Sequence, residues 1–470
     1  MTSLNELCFK DTSGLLSLIR DREVSVHEVV RAHISQIERL NPLVNAVVTN
    51  LFDQALAQAR IMDGKDQDRN LPLFGLPVLY KDLTNTKGVR TTLGSRIFES
   101  NVPNFDAIHV SRLKRAGAIT LGKTNTPEFG AGSQTFNEVF GSTRNPYDLK
   151  KTCGGSSGGS AVSLACGFSP IADGSDFGGS LRNPASFCNV VGFRPSAGRV
   201  PVWPKSAAWF SINVTGPMAR TVQDVALALS VMEGVDERDP LSVAKFQRVT
   251  PGDLQKSFKG IRVAWCSKMD GVPFDERVVT SVDSRKKIFE TLGFEVEDAV
   301  PDLSDADEIF EVMRAWYYDL SLGDLLTLKG NMMKDTVKWN IEEGKKLTGS
   351  DLARVEKKRT QMFQELLKFF SRYELLIMPT VQVLPFDIDQ HFVTNINGIN
   401  LKTYIEWMRS CSRISVTGLP SISIPGGFSE DGLPVGLQIV GGFRKDFSVL
   451  QVAHAFEQET NFWKTKPSIV

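Results

Sequence analysis

After Ser25 the apolar residues Val26, Val29, Val30, Ile34, Ile37 and Leu40 recur at intervals of three and four. That spacing lines one face of a helix, and Ser25 with Glu28 has the separation of a capping box, so a helix is expected to begin here and to end at Asn41-Pro42. The period then changes. FGLPVLYKDL, residues 74–83, reads as a turn running into a short, unbroken apolar stretch, the pattern of a buried strand that ends at Lys81-Asp82. Residues 110–116 follow as a helix and 118–121 as another buried strand, and this alternation predicts an α/β sheet with covered faces. Farther on, a helix over 221–232, a strand over 261–265, a mostly helical stretch from about 305 to 370, three buried strands in YELLIMP, SISIP and VGLQIVG, and a closing helix near 449–457 continue the pattern. No internal repeat is visible.

Between residues 130 and 198 the pattern breaks, and Gly, Ser, Asn and Pro take over without becoming a repeat. Such a stretch predicts loops that carry function. The chain around it has 470 residues, which leaves one or two domains open on length alone, and 41% apolar against 23% charged residues provides for a large core. Fifty-four basic residues balance fifty-four acidic ones, so nothing favours nucleic acid or an anionic membrane as a partner. Six cysteines lie scattered, at Cys8, Cys153, Cys166, Cys188, Cys266 and Cys411, with no close pair to hold a metal. With no leader-like N-terminus and no run of 18 apolar residues, the expectation is a soluble cytoplasmic protein.

Two glycine-rich segments carry the candidate chemistry: GGSSGGS at 154–160 and SDFGGSLRNP at 175–184. A flexible linker is the bland reading, set aside because strand-like and helix-like segments surround both. A phosphate loop is a poor fit, since no lysine followed by Ser or Thr closes the first segment. A nucleophile elbow would place Ser156 in a G-x-S-x-G frame and require a downstream histidine. Of the five histidines only His391 and His454 follow it, the first in a polar loop and the second inside a helical pattern.

Without histidine, a serine working without metal needs another base, and lysine is the remaining choice. An ordinary lysine is neutral in only about one copy in 2,500 at pH 7, a cost of roughly 4.6 kcal/mol, and burial can remove most of it. Lys81, at the end of an apolar run, is the best-placed candidate, although a surface lysine at a strand end would look the same in isolation.

The order KD, then GGSSGGS, then D-x-GGS-x-R-x-P, with Ser156 and Ser180 24 positions apart, resembles the amidase signature family, as do GLPVLYKD, AGAITLGKTNTPEFG, FCNVVGFRPSAGRVP, GPMARTVQD and GLPVGLQIVG. The likeness runs over roughly residues 10–460. It implies one domain over 1–470, with an N-terminal helical segment over about 1–65, a signature core over about 70–235 and a variable, substrate-shaping helical region over about 300–400. The fold implied is α/β, a large mixed, mostly parallel twisted central sheet covered by helices on both faces. The resemblance assigns Ser180 as nucleophile, Ser156 as bridging serine after a cis peptide from Gly155, and Lys81 as base. It also implies an oxyanion hole from the backbone N–H groups of Phe177, Gly178, Gly179 and Ser180, with Ser157 beside the bridging serine. Asp82, Asp176 and Arg182 are expected to brace the loops, with ordinary ion pairing as the competing reading of each. No cofactor or metal is implied, the partner is a small-molecule amide, and a homodimer is left open.

Two positions depart from the family pattern. Phe177 stands where Thr or Ile is common, which would narrow the acyl pocket, and Cys153 stands where proline is common, with no neighbouring acid or base to activate it. Trp209, Phe210, Met313, Trp316, Tyr317 and Tyr318 suggest an aromatic or extended apolar substrate group, against core packing as the alternative for each. Three functional classes follow: an amidase acting on apolar or aryl amides, with esters and carbamates within reach of the same chemistry; the glutaminase subunit of a tRNA-dependent amidotransferase; and a non-catalytic binding protein on the same scaffold.

Overall fold

Eleven segments pair into one sheet in the structure, a computed structural model that describes residues 4–65, 68–245 and 251–470. In chain order they are β1 (Val47–Asn50), β2 (Pro77–Lys81), β3 (Ile119–Thr124), β4 (Ile171–Asp176), β5 (Val191–Arg194), β6 (Val214–Ala219), β7 (Arg262–Trp265), β8 (Glu295–Asp298), β9 (Leu375–Pro379), β10 (Ser421–Phe428) and β11 (Pro434–Gly441). Across the sheet they run β1-β3-β2-β4-β6-β5-β10-β11-β9-β7-β8. Every residue of β2, β5, β6, β9 and β11 is buried, so both faces are covered there, as the unbroken apolar runs predict for β2, β9 and β11.

The large mixed sheet of an α/β fold is therefore present, and only the expected balance of its pairings is corrected. The pairs β3/β2, β2/β4, β9/β7 and β7/β8 are parallel, while β1/β3, β4/β6, β6/β5, β5/β10, β10/β11 and β11/β9 are antiparallel. Parallel pairing is thus confined to two groups flanking an antiparallel middle. Connection length accounts for part of it: β10 and β11 are joined by a tight turn closed by Ser429 N–H on the Leu433 carbonyl, and so short a link permits only antiparallel neighbours.

The first predicted helix spans Val26–Val44, and both hydrogen bonds of the Ser25–Glu28 capping box are present. Pro42 does not end it but sits in its last turn, and the chain leaves through Asn45 in the left-handed region at φ 52°. The predicted helical stretch resolves into Ala306–Lys329, Asp335–Lys345 and Gly349–Arg372.

The largest departure from expectation is the Gly/Ser-rich stretch. Much of it is core, containing the helix Gly158–Ala165, β4, the helix Arg182–Phe187 and β5, all but a few residues buried. Its small residues serve close packing: a Cβ on Gly159 would lie 2.4 Å from the backbone nitrogen of Asn125. One hydrophobic cluster extends from Leu7 to Phe456 and holds these elements together.

Candidate active site

The ladder between β2 and β4 is last paired at Leu79 and Ala172, two residues before Lys81. Beyond it the Lys81 N–H would lack an acceptor, and the Asp173 carboxylate supplies one at 2.6 Å. The Lys81 side chain is fully buried, and its amine donates to three hydroxyls: Ser156 Oγ at 2.7 Å, Ser157 Oγ at 3.0 Å and Ser175 Oγ at 3.1 Å. Burial pushes this amine down to about 7, against the pull of the charges on Asp173 and Asp176. The buried lysine expected from the sequence is therefore present, together with a third hydroxyl, Ser175, that sequence reading missed. Alternation along β4 was the available signal, since Asp173 and Ser175 lie two apart on one face of the strand.

The Gly155–Ser156 peptide is cis, as the family resemblance implied. Thr126 Oγ1 donates to the Ser156 carbonyl at 3.0 Å, and Ser157 N–H donates to the Ser180 carbonyl at 3.2 Å, which ties the two serine segments together. Asp82 stands apart from these serines. It accepts from Thr92 N–H and hydroxyl and so braces the loop carrying Leu93, and burial raises its carboxyl against the opposing charge of Lys123.

Around Ser180 the turn is built on Asp176. Its carboxylate accepts from Gly179 N–H at 2.9 Å, Leu181 N–H at 3.2 Å, Arg182 Nε at 3.0 Å and Arg194 at 3.0 Å. Burial alone would raise this carboxyl, but the two guanidinium groups outweigh it and hold the group well below the usual carboxylate range. Arg182 continues to Gln438 Oε1 and Ser415 Oγ, each at 2.6 Å, pinning the turn to β11 and to the helix Arg409–Thr417. Arg194 was not foreseen, because its distance in sequence hides a direct contact. Of the four N–H groups expected to form an oxyanion hole, that of Gly179 is engaged by the Asp176 carboxylate.

Ser156, Ser175 and Ser180 open onto one cavity of about 240 Å³. Leu83, Leu93, Phe129, Phe177 and Leu322 form its apolar wall, and Ser206, Asn213, Ser321 and the two tyrosines Tyr317 and Tyr318 the rest. Of the six residues put forward for a substrate pocket, Tyr317 and Tyr318 line this cavity and the others do not. Phe210 stacks behind Tyr317 at 4.6 Å and Trp316 stands behind Phe210, Met313 is core, and Trp209 is 75% exposed. Phe177 is part of the cavity wall and makes edge contacts to Phe210, Phe310 and Tyr317. A larger groove of about 1200 Å³, between the N-terminal helices and Val222–Met232, contains none of the expected residues. His391 packs on Phe136 and His454 is buried in the closing helix, so neither histidine reaches this cavity. Cys153 is buried with its thiol pushed up to about 12 by desolvation, an inert group.

On a large mixed sheet, then, a buried lysine is bonded to Ser156 and Ser175, which share one cavity with Ser180. A model of the family described as Amidase matches residues 28–450, and the chain belongs to that family, the amidase signature enzymes. The chain is 35% identical to the glutamyl-tRNA(Gln) amidotransferase A-subunit of Geobacillus kaustophilus (strain HTA426), over 97% of this chain and 98% of that protein. It is 32% identical to an acylamidase of Rhodococcus erythropolis, over 100% of this chain and 99% of that one. The structure of a bacterial aryl acylamidase superposes with a TM-score of 0.90 at 28% identity, over 97% and 98% of the two chains. That of 6-aminohexanoate cyclic dimer hydrolase complexed with substrate does so at 0.88 and 27% identity, over 98% and 99%. Among the described residues no helix is long and apolar enough to cross a membrane.

Proposed function

We propose that the chain cleaves the C–N bond of an uncharged carboxylic amide through an acyl-enzyme on Ser180, with Ser156 and Lys81 moving the protons. The observation that carries this reading is the buried Lys81 amine, 2.7 Å from Ser156 Oγ, which lines the same cavity as Ser180. As Ser180 Oγ attacks the carbonyl carbon, its proton passes to Ser156 Oγ, and the Ser156 proton passes to neutral Lys81. The oxyanion is received by the N–H groups of Phe177, Gly178 and Ser180, where one such donor is worth about 3 to 4 kcal/mol. The relay then runs backward, delivering a proton to the nitrogen as the C–N bond breaks and the amine leaves. Water, giving up its proton through the same relay, releases the acid and restores Ser180. Esters and carbamates present the same carbonyl to the same groups.

Substrate charge separates this reading from that of a glutaminase. Among the described residues, no acidic side chain, arginine or histidine lines the cavity. Free glutamine would bring an ammonium and a carboxylate into it unpaired, at a cost of several kcal/mol. An anilide or aliphatic amide meets apolar walls and hydroxyls instead, in keeping with the relatives named as acylamidases. Six free, buried thiols accord with a reducing compartment.

Intact-mass measurement during turnover of an anilide tests the assignment. The wild type is expected to carry the mass of the acyl group and Ser180→Ala to carry none; an adduct of equal occupancy on Ser180→Ala overturns it. In parallel, kcat/KM for the anilide is expected to exceed that for free glutamine by at least about tenfold, the effect of roughly 1.4 kcal/mol.

A further inference from the structure

A second, smaller cavity of about 60 Å³ lies between the segment 132–136, the start of the helix Asp335–Lys345 and Tyr404. It has room for more than one water-sized species, and none of the residues lining the active-site cavity lines it. Lys334 reaches into this space. Its Nζ stands 3.8 Å from the centroid of the Phe136 ring, and a Cβ on Gly132 would lie 3.7 Å from it, both residues being part of the lining. Burial lowers the amine only to about 8, so at pH 7 it is mostly an ammonium. Among the described residues it has no carboxylate in ion-pair contact: Glu128, whose charge it feels, is held instead by Ser95 Oγ at 2.5 Å and by the Lys334 N–H at 2.6 Å. Asp335, next in sequence, is 98% exposed and pairs with Lys338.

Further donors border the same space. Thr336 lines the cavity, and its Oγ1 is buried without a hydrogen-bond partner. Tyr404 lines it too, and its phenol oxygen accepts from Arg314 Nη2 and, at 2.8 Å, from Asn340 Nδ2, which leaves its own proton to be given. Arg314 is itself fully buried, and among the described residues it meets no carboxylate; it donates to Asn340 Oδ1 at 3.1 Å and to the Tyr318 hydroxyl at 3.3 Å. Gln134 and His391 add polar edges, and no Asp or Glu lines the cavity among the described residues. Buried cations without a counter-charge are costly. Water would accept from these donors but would leave the charge unbalanced, whereas an anion does both.

We propose that this cavity binds a small monovalent anion of chloride's size, held by Lys334 Nζ and the hydroxyls of Thr336 and Tyr404. So placed, the anion ties the segment 132–136 to the start of the helix Asp335–Lys345 and to Tyr404. That segment also supports the turn before Ser156, since Thr135 Oγ1 donates to the Gly154 carbonyl at 2.8 Å. The site stands independently of the reaction proposed above.

Chloride and bromide are the probes. Broadening of the chloride resonance by the wild-type protein is expected to saturate with chloride and to be displaced by bromide. Lys334→Met is expected to weaken chloride binding by at least about tenfold, and Thr336→Val, which keeps the volume, by about three- to tenfold. Crystals grown in bromide are expected to show an anomalous peak in contact with Lys334 Nζ and Thr336 Oγ1. The proposal is overturned by a cavity that holds water alone, by a response that does not saturate, or by unchanged affinity in either variant. A bromide peak without the saturable response in solution marks an adventitious ion only and overturns it likewise. So does a cavity filled by acetate in crystals where bromide leaves it empty, which would assign it to a carboxylate. If Lys334→Met does not fold, Thr336→Val and the bromide crystal decide by the same outcomes.

Discussion

Two lysines lie buried on adjacent strands, Lys81 on β2 and Lys123 on β3, where Tyr80 stands opposite Lys123. Burial lowers both, Lys81 to about 7 and Lys123 to about 8. Their partners differ. Lys123 donates to the Thr84 carbonyl and to Thr86 Oγ1 at 3.0 Å, and neither acceptor lines the cavity. Lys81 donates to three hydroxyls, two of which line it. A carbonyl has no proton to give, whereas a hydroxyl does. Desolvation thus makes an amine that can be neutral near pH 7, but only a hydroxyl partner with access to substrate turns that amine into a proton acceptor in a reaction.

Lys81→Met breaks the comparison most sharply: kcat/KM on an anilide is expected to fall by about 10²–10⁴-fold or more, the range of general-base catalysis. Ser156→Ala removes the bridging hydroxyl and leaves Lys81 with Ser157 and Ser175, and is expected to cost about 10²-fold or more in single-turnover acylation. For Lys123→Met the expected outcome is the reverse, kcat/KM within about tenfold of wild type but unfolding in urea at a free energy lower by about 1–3 kcal/mol, from the acceptors left unpaired. A loss of activity in Lys123→Met matching that of Lys81→Met would erase the distinction. Among the pocket residues, Phe177→Ala removes part of the apolar wall and is expected to raise KM for an anilide by roughly tenfold with less effect on an acetamide-sized substrate. Trp209→Ala, at an exposed position outside the cavity, is expected to change kcat/KM by less than about twofold.

Much of this site was legible in the sequence, and the parts that were not have physical reasons. The apolar run before Lys81 foretold a buried strand, and the buried strand is what desolvates the amine. The motif spacing brought Ser156 and Ser180 to one cavity. The Gly/Ser-rich stretch misled because small residues suit both loops and tightly packed backbone, and composition does not distinguish them; Gly159 packs against Asn125 inside the core. Strands β5 and β6 escaped notice because VGFR and VTGPMA carry glycine and proline, which weaken the strand signal that their burial in the sheet overrides. Of six aromatic or apolar candidates, only Tyr317 and Tyr318 reach the cavity, since helical neighbours point to different sides and periodicity does not say which side is the cavity. Contacts such as Arg194 with Asp176 depend on strand order across the sheet, which no local pattern encodes.

The central claim is that an amine lowered by burial takes the proton that leaves the nucleophile. The most direct test is the burst of amine released in a single turnover of an anilide, followed across pH 5 to 10 under conditions where the fold is intact by circular dichroism. The rate is expected to rise with pH as Lys81 loses its proton, with a midpoint near 7. A rate that is flat across that range, or that rises only near pH 10 as for an ordinary lysine, would contradict it.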